Sequence, residues 1–239
     1  MKNYIPHVSV DCVLIGFDGT QLNVLLVEKT ENGTPSSGEC RMKLPGRLIQ
    51  ADESLEQAAA DTLESMTGIR KSNLQQFRTF GAPDRTSNRE DLEWLEGQVS
   101  LKLTRILTVG FMSTLRISTR LHTFSPEFHT RWCPVDSVPR LIFDHNHILE
   151  EALLHLKQMV KLQPALLFKL LPAQFTALEL RKIYETIDGK PIDARNFHKK
   201  ITSKPYVKLL PIKQTNVAHR AARYYTFDKR SYNKLYAQV

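Results

Sequence analysis

One helical segment, set between two backbone breaks, constrains the fold of this chain more than any other feature. Leu44-Pro45-Gly46 interrupts the chain, and from Glu53 onward neither Pro nor Gly appears until Gly68. Leu55, Ala58, Ala59, Thr62, Leu63 and Met66 recur at three- and four-residue spacing, which is one face of a helix. Gly68 stands where a left-handed C-terminal cap is expected. Such a face needs an apolar surface to cover it, and the upstream residues supply one. Ser9 to Ile15 is a mostly apolar run, Asp18-Gly19-Thr20 a turn, and Leu22 to Val27 a second apolar run, together a hairpin signal. Glu31 to Cys40, rich in Gly, Ser, Thr and Pro, reads as a loop.

Further strands are expected near Phe77–Phe80, Leu107–Leu115 and Thr130–Pro134. Ala82 to Thr104 is polar and charged, with Trp94 and Leu95 inside it, and reads as a long loop or inserted segment. Asp144 or His145 starts a long helix, His147 to Leu162, whose apolar side carries Ile148, Ala152, Leu153, Leu156 and Met159-Val160. Gln163-Pro164 breaks it, which sets a domain boundary with residues 1–160 on one side and 161–239 on the other. The second domain opens with a helix, Thr176 to Ile187, where Thr176 and Glu179 have capping-box spacing. Asp188-Gly189-Lys190-Pro191 is a turn, and Asp193 can cap a second helix from Ala194 to about Ser203. Val207–Ile212 and Arg223–Phe227 then read as two strands around a basic connection. Helix, turn, basic helix and hairpin is the order of a winged helix-turn-helix.

Charge divides the chain in the same way. The 239 residues carry 33 Lys+Arg and 25 Asp+Glu, a net +8. Residues 1–160 hold 17 basic and 20 acidic side chains, a net −3, whereas residues 161–239 hold 16 and 5, a net +11. A basic block on a mildly acidic body predicts a polyanionic partner for the second domain. The composition gives no membrane helix and no signal peptide. Cys12, Cys40 and Cys133 form no CxxC pair, and no Cys/His spacing suggests zinc; His145 and His147 are a lone close pair. A reducing, cytoplasmic compartment is expected, with no metal and no cofactor.

The stretch Leu44-Pro45-Gly46-Arg47 through Glu53 to Thr67-Gly68-Ile69 resembles the Nudix box. The family pattern is Gly, five residues, Glu, seven residues, then Arg-Glu-aliphatic-x-Glu-Glu-x-Gly-aliphatic. Spacing is kept throughout, and the chemistry is not. The pattern's Gly falls on Arg47, its first Glu on Glu53, its Arg-Glu pair on Asp61 and Thr62, and its Glu-Glu pair on Ser65 and Met66. The resemblance implies a Nudix-like α/β/α sandwich. Nudix hydrolases hold Mg²⁺ with carboxylates from one face of this helix, and Thr62, Ser65 and Met66 offer none. Asp61 and Glu64 each lie one residue from a motif glutamate position, about 100° away around the helix, and should point elsewhere. Glu53 reads as part of a solvated face or as a helix cap.

A Nudix-like domain with a broken box followed by a winged helix resembles the Nudix-related transcriptional regulators of NAD-biosynthesis and sugar-utilisation genes in bacteria. Local strings support the resemblance: Leu141-Ile142-Phe143-Asp144-His145, Leu171 to Thr176, Gly189 to Phe197, and Phe80-Gly81-Ala82-Pro83-Asp84-Arg85. The wing departs from the family, since His219-Arg220-Ala221-Ala222 keeps an arginine but not the Gly and Pro of that segment. The resemblance implies a bacterial, cytoplasmic, homodimeric regulator with no catalytic residues. Its partners would be double-stranded DNA with a pseudo-palindromic operator and a small effector of sugar or ribose-nucleotide type. Arg195, Asn196, Lys199 and Lys200 would lie on the recognition helix, and Lys213, Arg220 and Arg223 on the wing. Arg reads a guanine edge, Asn an adenine edge, and Lys the phosphates. Arg47, Asp84, Arg85, Asp144 and His145 are the effector candidates, with Arg85 suited to a phosphate or carboxylate. Two rivals are a magnesium-dependent Nudix hydrolase of nucleoside-diphosphate-linked substrates with an appended nucleic-acid-binding domain, and an inactive module that binds RNA. No basic sheet with stacking aromatics supports the RNA reading.

Overall fold

The computed structural model describes residues 4–31, 34–35, 42–70, 73–99, 102–117, 127–215 and 221–236. The chain divides into two compact units, residues 1–16 with 23–155 and residues 17–22 with 156–239. Cys40 and Arg220 lie outside the described residues.

The first unit is built on a sheet. Its strands are β1 (Tyr4–Phe17), β2 (Leu22–Glu31), β3 (Thr34–Pro35), β4 (Met42–Lys43), β5 (Gly46–Gln50), β6 (Gln75–Phe80), β7 (Leu107–Arg116) and β8 (Phe128–Pro134). The main order is β3-β2-β1-β7-β6, with β4 and β8 pairing β2 and β5 pairing β1. The predicted hairpin turn is closed by Asp18, whose carboxylate accepts from Thr20 N at 2.7 Å and Gln21 N at 2.9 Å. Helix α1 (Leu55–Thr67) covers one sheet face. Ala58, Ala59 and Leu63 pack with Val10, Cys12 and Leu14 of β1 and with Val109 and Phe111 of β7. Strand residues alternate faces, so Ser9, Asp11 and Thr108 project to the other side.

That other side is covered by a helix the sequence reading missed. The stretch 82–104, expected as a long loop or inserted segment, is not loop throughout: α2 (Arg89–Val99) lies within it. Leu92 and Leu95 pack on Leu48, Leu103 and Ile106. The Asn88 side chain accepts from Glu90 N at 3.0 Å and caps the helix. The helix is short, acidic in its first turn and carries Gly97, so its weak periodicity was masked by its polarity. Sheet with α1 and α2 on opposite faces is an α/β/α sandwich. Helix α3 (His145–Leu162) begins in this unit, and the division between units falls inside it.

The second unit contains a 3₁₀ turn (Pro164–Lys169), β9 (Phe175–Thr176), α4 (Ala177–Asp188), α5 (Ala194–Thr202), β10 (Val207–Lys213), β11 (Arg223–Phe227) and α6 (Lys229–Tyr236). Its sheet order is β10-β11-β9. The expected Thr176/Glu179 capping box is present, and Gly189 ends α4 at φ 68°. Asp193 caps α5, accepting from Asn196 N at 2.8 Å. Phe168 stacks on Phe227 with centroids 4.3 Å apart, and Phe175 and Tyr206 close around Phe168. Helix α6 extends the unit beyond the predicted hairpin. Asp228 starts it, accepting from Ser231 Oγ at 2.6 Å, a bond that holds its carboxyl below the usual range. No described helix is long and apolar enough to cross a membrane.

Candidate functional sites

The sheet face opposite α1 buries a cluster of ionisable groups. Asp11 on β1 and Lys43 on β4 are 4% and 8% exposed. Burying charge costs several kcal/mol unless it is paired, so each group here must be accounted for. Lys43 Nζ donates to Gly46 O at 2.5 Å. Arg85 donates Nε and Nη2 to the two Asp144 oxygens at 3.0 and 2.8 Å, and Nη1 to Ile106 O at 2.9 Å. His145 is fully buried, and Leu44 N donates to its Nδ1 at 3.0 Å. The neutral ring therefore carries its proton on Nε2, 3.6 Å from Asp11 Oδ1. Burial lowers the His145 pKa, with Asp11 opposing and Lys43 adding to the fall. The space these side chains enclose is only about 30 Å³, room for about one water molecule.

Gly46 permits this arrangement. It pairs with Asp11 across β5 and β1, and a Cβ there would stand 1.8 Å from Asp11 Oδ1. Phe143 adds a strained backbone at the rim, with φ 54°, a region an aromatic residue rarely adopts. Its N–H donates to Asp91 Oδ2 at 2.8 Å, which fastens the segment to the first turn of α2. Beside this small cavity lies a larger cleft of about 470 Å³, with Asp84, Arg85, Asp144, Arg140, Phe143 and His147 in its wall. Its volume falls in the range of small-molecule sites, of about 300–1,000 Å³.

The five effector candidates thus separate. Asp84, Arg85 and Asp144 share the larger cleft, with Arg85 reaching both spaces, while His145 and Arg47 line the smaller one. Arg85 already holds a carboxylate, that of Asp144. Asp144 gives its side chain to Arg85 and only its backbone carbonyl to α3, accepting from Ile148 N at 3.0 Å.

Most of the box residues are engaged by groups other than a metal. Arg47 and Glu53 form a bidentate pair at 2.5 and 2.7 Å, with the side chains 18% and 10% exposed. Glu53 also accepts from Gln50 N at 2.6 Å and does not cap α1. Ser54 does, in a capping box with Gln57. Thr62 Oγ1 donates to Ala58 O at 2.6 Å and Ser65 Oγ to Thr62 O at 3.2 Å. Met66 is buried with Val27 and Phe128. Glu64 pairs with Arg70 at 2.7 Å, and Asp61 is exposed. Among the described residues no three His, Cys, Asp or Glu side chains gather as a metal site. Cys12 Sγ lies against Ala59 O, and burial pushes its thiol far up, which makes it inert.

In the second unit, α4, the 189–193 turn and α5 form a helix-turn-helix. Glu185 fixes the turn, accepting from Ile192 N at 2.9 Å. Phe197 and Ile201 are the buried face of α5, and Phe197 meets Tyr184 with centroids 5.6 Å apart. Arg195 and Lys199 are exposed on the opposite face, one turn apart. Asn196 and Lys200 are also exposed, but each lies one residue further round and lines a cleft of about 450 Å³ with Lys204 and Tyr206. His198 Nε2 and Tyr225 OH are 3.0 Å apart, which ties α5 to β11. On the wing, Lys213 and Arg223 are exposed and directly paired across β10 and β11.

Ser9, Asp11, Lys43, Asp91 and Thr108 were absent from the sequence reading. A signal existed for Asp11, a charge inside an apolar strand run. None existed for the others, which are ordinary strand or helix residues until the sheet assembles.

Comparison with known proteins accords with both units. Residues 167–227 match the NrtR DNA-binding winged helix domain. A protein of Acinetobacter baylyi described as "ADPR responsive transcriptional repressor NtrR" is 24% identical over 233 residues, 95% of this chain and 84% of its own. The structure of Shewanella oneidensis NrtR complexed with a 27mer DNA superposes with TM-score 0.66 and 25% identity, covering 94% of each chain. A MutT/nudix family protein from Enterococcus faecalis gives TM-score 0.61 at 21% identity over 93% of this chain and 88% of its own, a likeness of fold. The architecture is a Nudix-like domain followed by a winged helix.

Proposed function

We infer that a chain joining a Nudix-like unit, three of its four box glutamates replaced, to an NrtR-type winged helix is a DNA-binding transcriptional regulator. Its first unit senses a small metabolite. The observation that carries this reading is the likeness, over 94% of both chains, to an NrtR bound to DNA. The name of the Acinetobacter relative supports ADP-ribose, a ribose nucleotide, as the effector. The sensor comprises residues 1–160 and the DNA-binding domain residues 161–239, and the protein acts as a cytoplasmic homodimer. It does not hydrolyse its effector, because Thr62, Ser65 and Met66 cannot hold the Mg²⁺ that activates water.

In the larger cleft, Asp84 accepts hydroxyls of the sugar, and the phosphates compete with Asp144 for Arg85. Arg47 and His145 form the wall behind. Effector binding shifts the dimer between DNA-competent and incompetent states, which requires different affinity for the two. Arg195 and Asn196 read base edges, and Lys199, Lys200, Lys213, Arg220 and Arg223 meet phosphates. Two recognition helices engage half-sites one helical turn apart on a pseudo-palindromic operator.

The test is a gel shift on DNA from the gene's own upstream region, with and without ADP-ribose. The wild type is expected to shift the duplex and to respond to ADP-ribose. Arg195→Ala/Lys199→Ala should weaken binding by at least about tenfold. Unchanged affinity in that variant would overturn the recognition-helix assignment, and magnesium-dependent turnover of ADP-ribose would overturn the regulator reading.

A further inference from the structure

The Nudix fold implies a divalent cation at the box, and the residues here do not fit one. Of the pattern's glutamates only Glu53 remains, and a guanidinium already holds both its oxygens at 2.5 and 2.7 Å. The Thr62 and Ser65 hydroxyls are spent on backbone carbonyls of their own helix, and Met66 is in the core. Magnesium demands several hard oxygen ligands in near-octahedral geometry. A Glu in contact with Arg offers it no charge that is not already matched.

The negative charge at the box is therefore much reduced. In the family pattern, a cluster of glutamates repels any anionic ligand, and the cation bridges the two. Three of those carboxylates are absent here, at Thr62, Ser65 and Met66; one cation, Arg47, has been added where the pattern has glycine, and the pattern's arginine is replaced by Asp61, which lies exposed. Arg47 neutralises the carboxylate that remains, and both side chains are largely buried, where an unmatched charge would act most strongly.

We propose that Arg47 takes the place of the divalent cation in this unit, so that an anionic, diphosphate-bearing effector binds without metal. The proposal rests on the reading of this unit as an effector sensor and concerns how that sensor handles charge. Removing Arg47 alone should expose Glu53 to the ligand and make binding respond to magnesium. Removing both charges should abolish that response.

Two measurements on the full-length protein test it. In the first, ADP-ribose is titrated calorimetrically in EDTA and in excess Mg²⁺. Wild-type affinity should agree between the two buffers within about threefold. Arg47→Gln should lose at least about tenfold in EDTA and recover part of it in Mg²⁺, and Arg47→Gln/Glu53→Gln should show no Mg²⁺ response. Wild-type binding that requires Mg²⁺ would overturn the proposal. In the second, Mn²⁺ is titrated against the wild type by electron paramagnetic resonance, with no effector present. The free-ion signal should be undiminished, and a stoichiometric site that disappears in Glu53→Gln would also overturn it. If ADP-ribose fails in both buffers, the effector reading falls, and the Mn²⁺ titration still decides whether Arg47 has displaced the metal.

Discussion

The Arg85–Asp144 pair joins the 82–88 turn to the start of α3, and its removal should have an asymmetric effect. The Arg85 side chain is 4% exposed and Asp144 17% exposed. Asp144→Ala leaves a guanidinium inside the unit with the Ile106 carbonyl as the acceptor that stays in place. Stranding a buried partner costs about 3–5 kcal/mol, and about 3 is expected here because one bond survives. Arg85→Met leaves a carboxylate near the cleft wall, where water can reach it. Its cost should be smaller, about 1–2 kcal/mol, chiefly the lost charge-assisted bonds. Arg85→Met/Asp144→Ala strands no charge and should cost less than the two single changes added, with a coupling of about 1–3 kcal/mol. Urea unfolding followed by tryptophan fluorescence is suited to the measurement, since the chain has two tryptophans, Trp94 and Trp132, both in the first unit. An Arg85→Met cost above that of Asp144→Ala, or additive single changes, would refute the reasoning that burial of the guanidinium dominates.

Two further outcomes follow from the same cluster. Gly46→Ala should lower first-unit stability by about 3 kcal/mol, because the new Cβ meets Asp11 Oδ1 at 1.8 Å and the Val10 carbonyl at 2.8 Å; an unchanged urea midpoint would mean that Asp11 has another place to go. His145 has a folded pKa lowered by burial, so the folded state binds fewer protons than the unfolded one. Its contribution is complete above the unfolded value, about 6.5, and is lost as pH falls toward the folded value, at up to about 1.4 kcal/mol per pH unit. Stability against pH for the wild type and His145→Gln should converge in acid, and parallel curves would show that this imidazole does not titrate with unfolding.

Much of the second unit was legible along the chain because its determinants are local. Thr176 and Glu179 cap α4 three residues apart, Asp193 caps α5 through Asn196, and Gly189 occupies the left-handed position its turn requires. Caps and turns are decided by neighbours in sequence, so a linear reading can find them. Helix α6 escaped because its apolar side is tyrosine, Tyr232 and Tyr236, amid lysines, and it forms by packing on Tyr206. Helix α2 escaped for a similar reason, since Leu92 and Leu95 become a core only against Leu48 and Ile106.

The sequence by itself determined that this chain has an acidic body and a basic tail domain, that its box kept the spacing of a Nudix helix, and that three of its glutamates are gone. Those are properties of residue identity and interval. Only the tertiary structure decided what became of the remaining charges. Arg47 and Glu53 are six residues apart and Arg85 and Asp144 fifty-nine, yet each pair closes into a bidentate bridge. Asp11 and His145 approach across an even longer stretch of chain. A charge buried by folding must find its counter-charge wherever the sheet brings one, and no local rule states where that is.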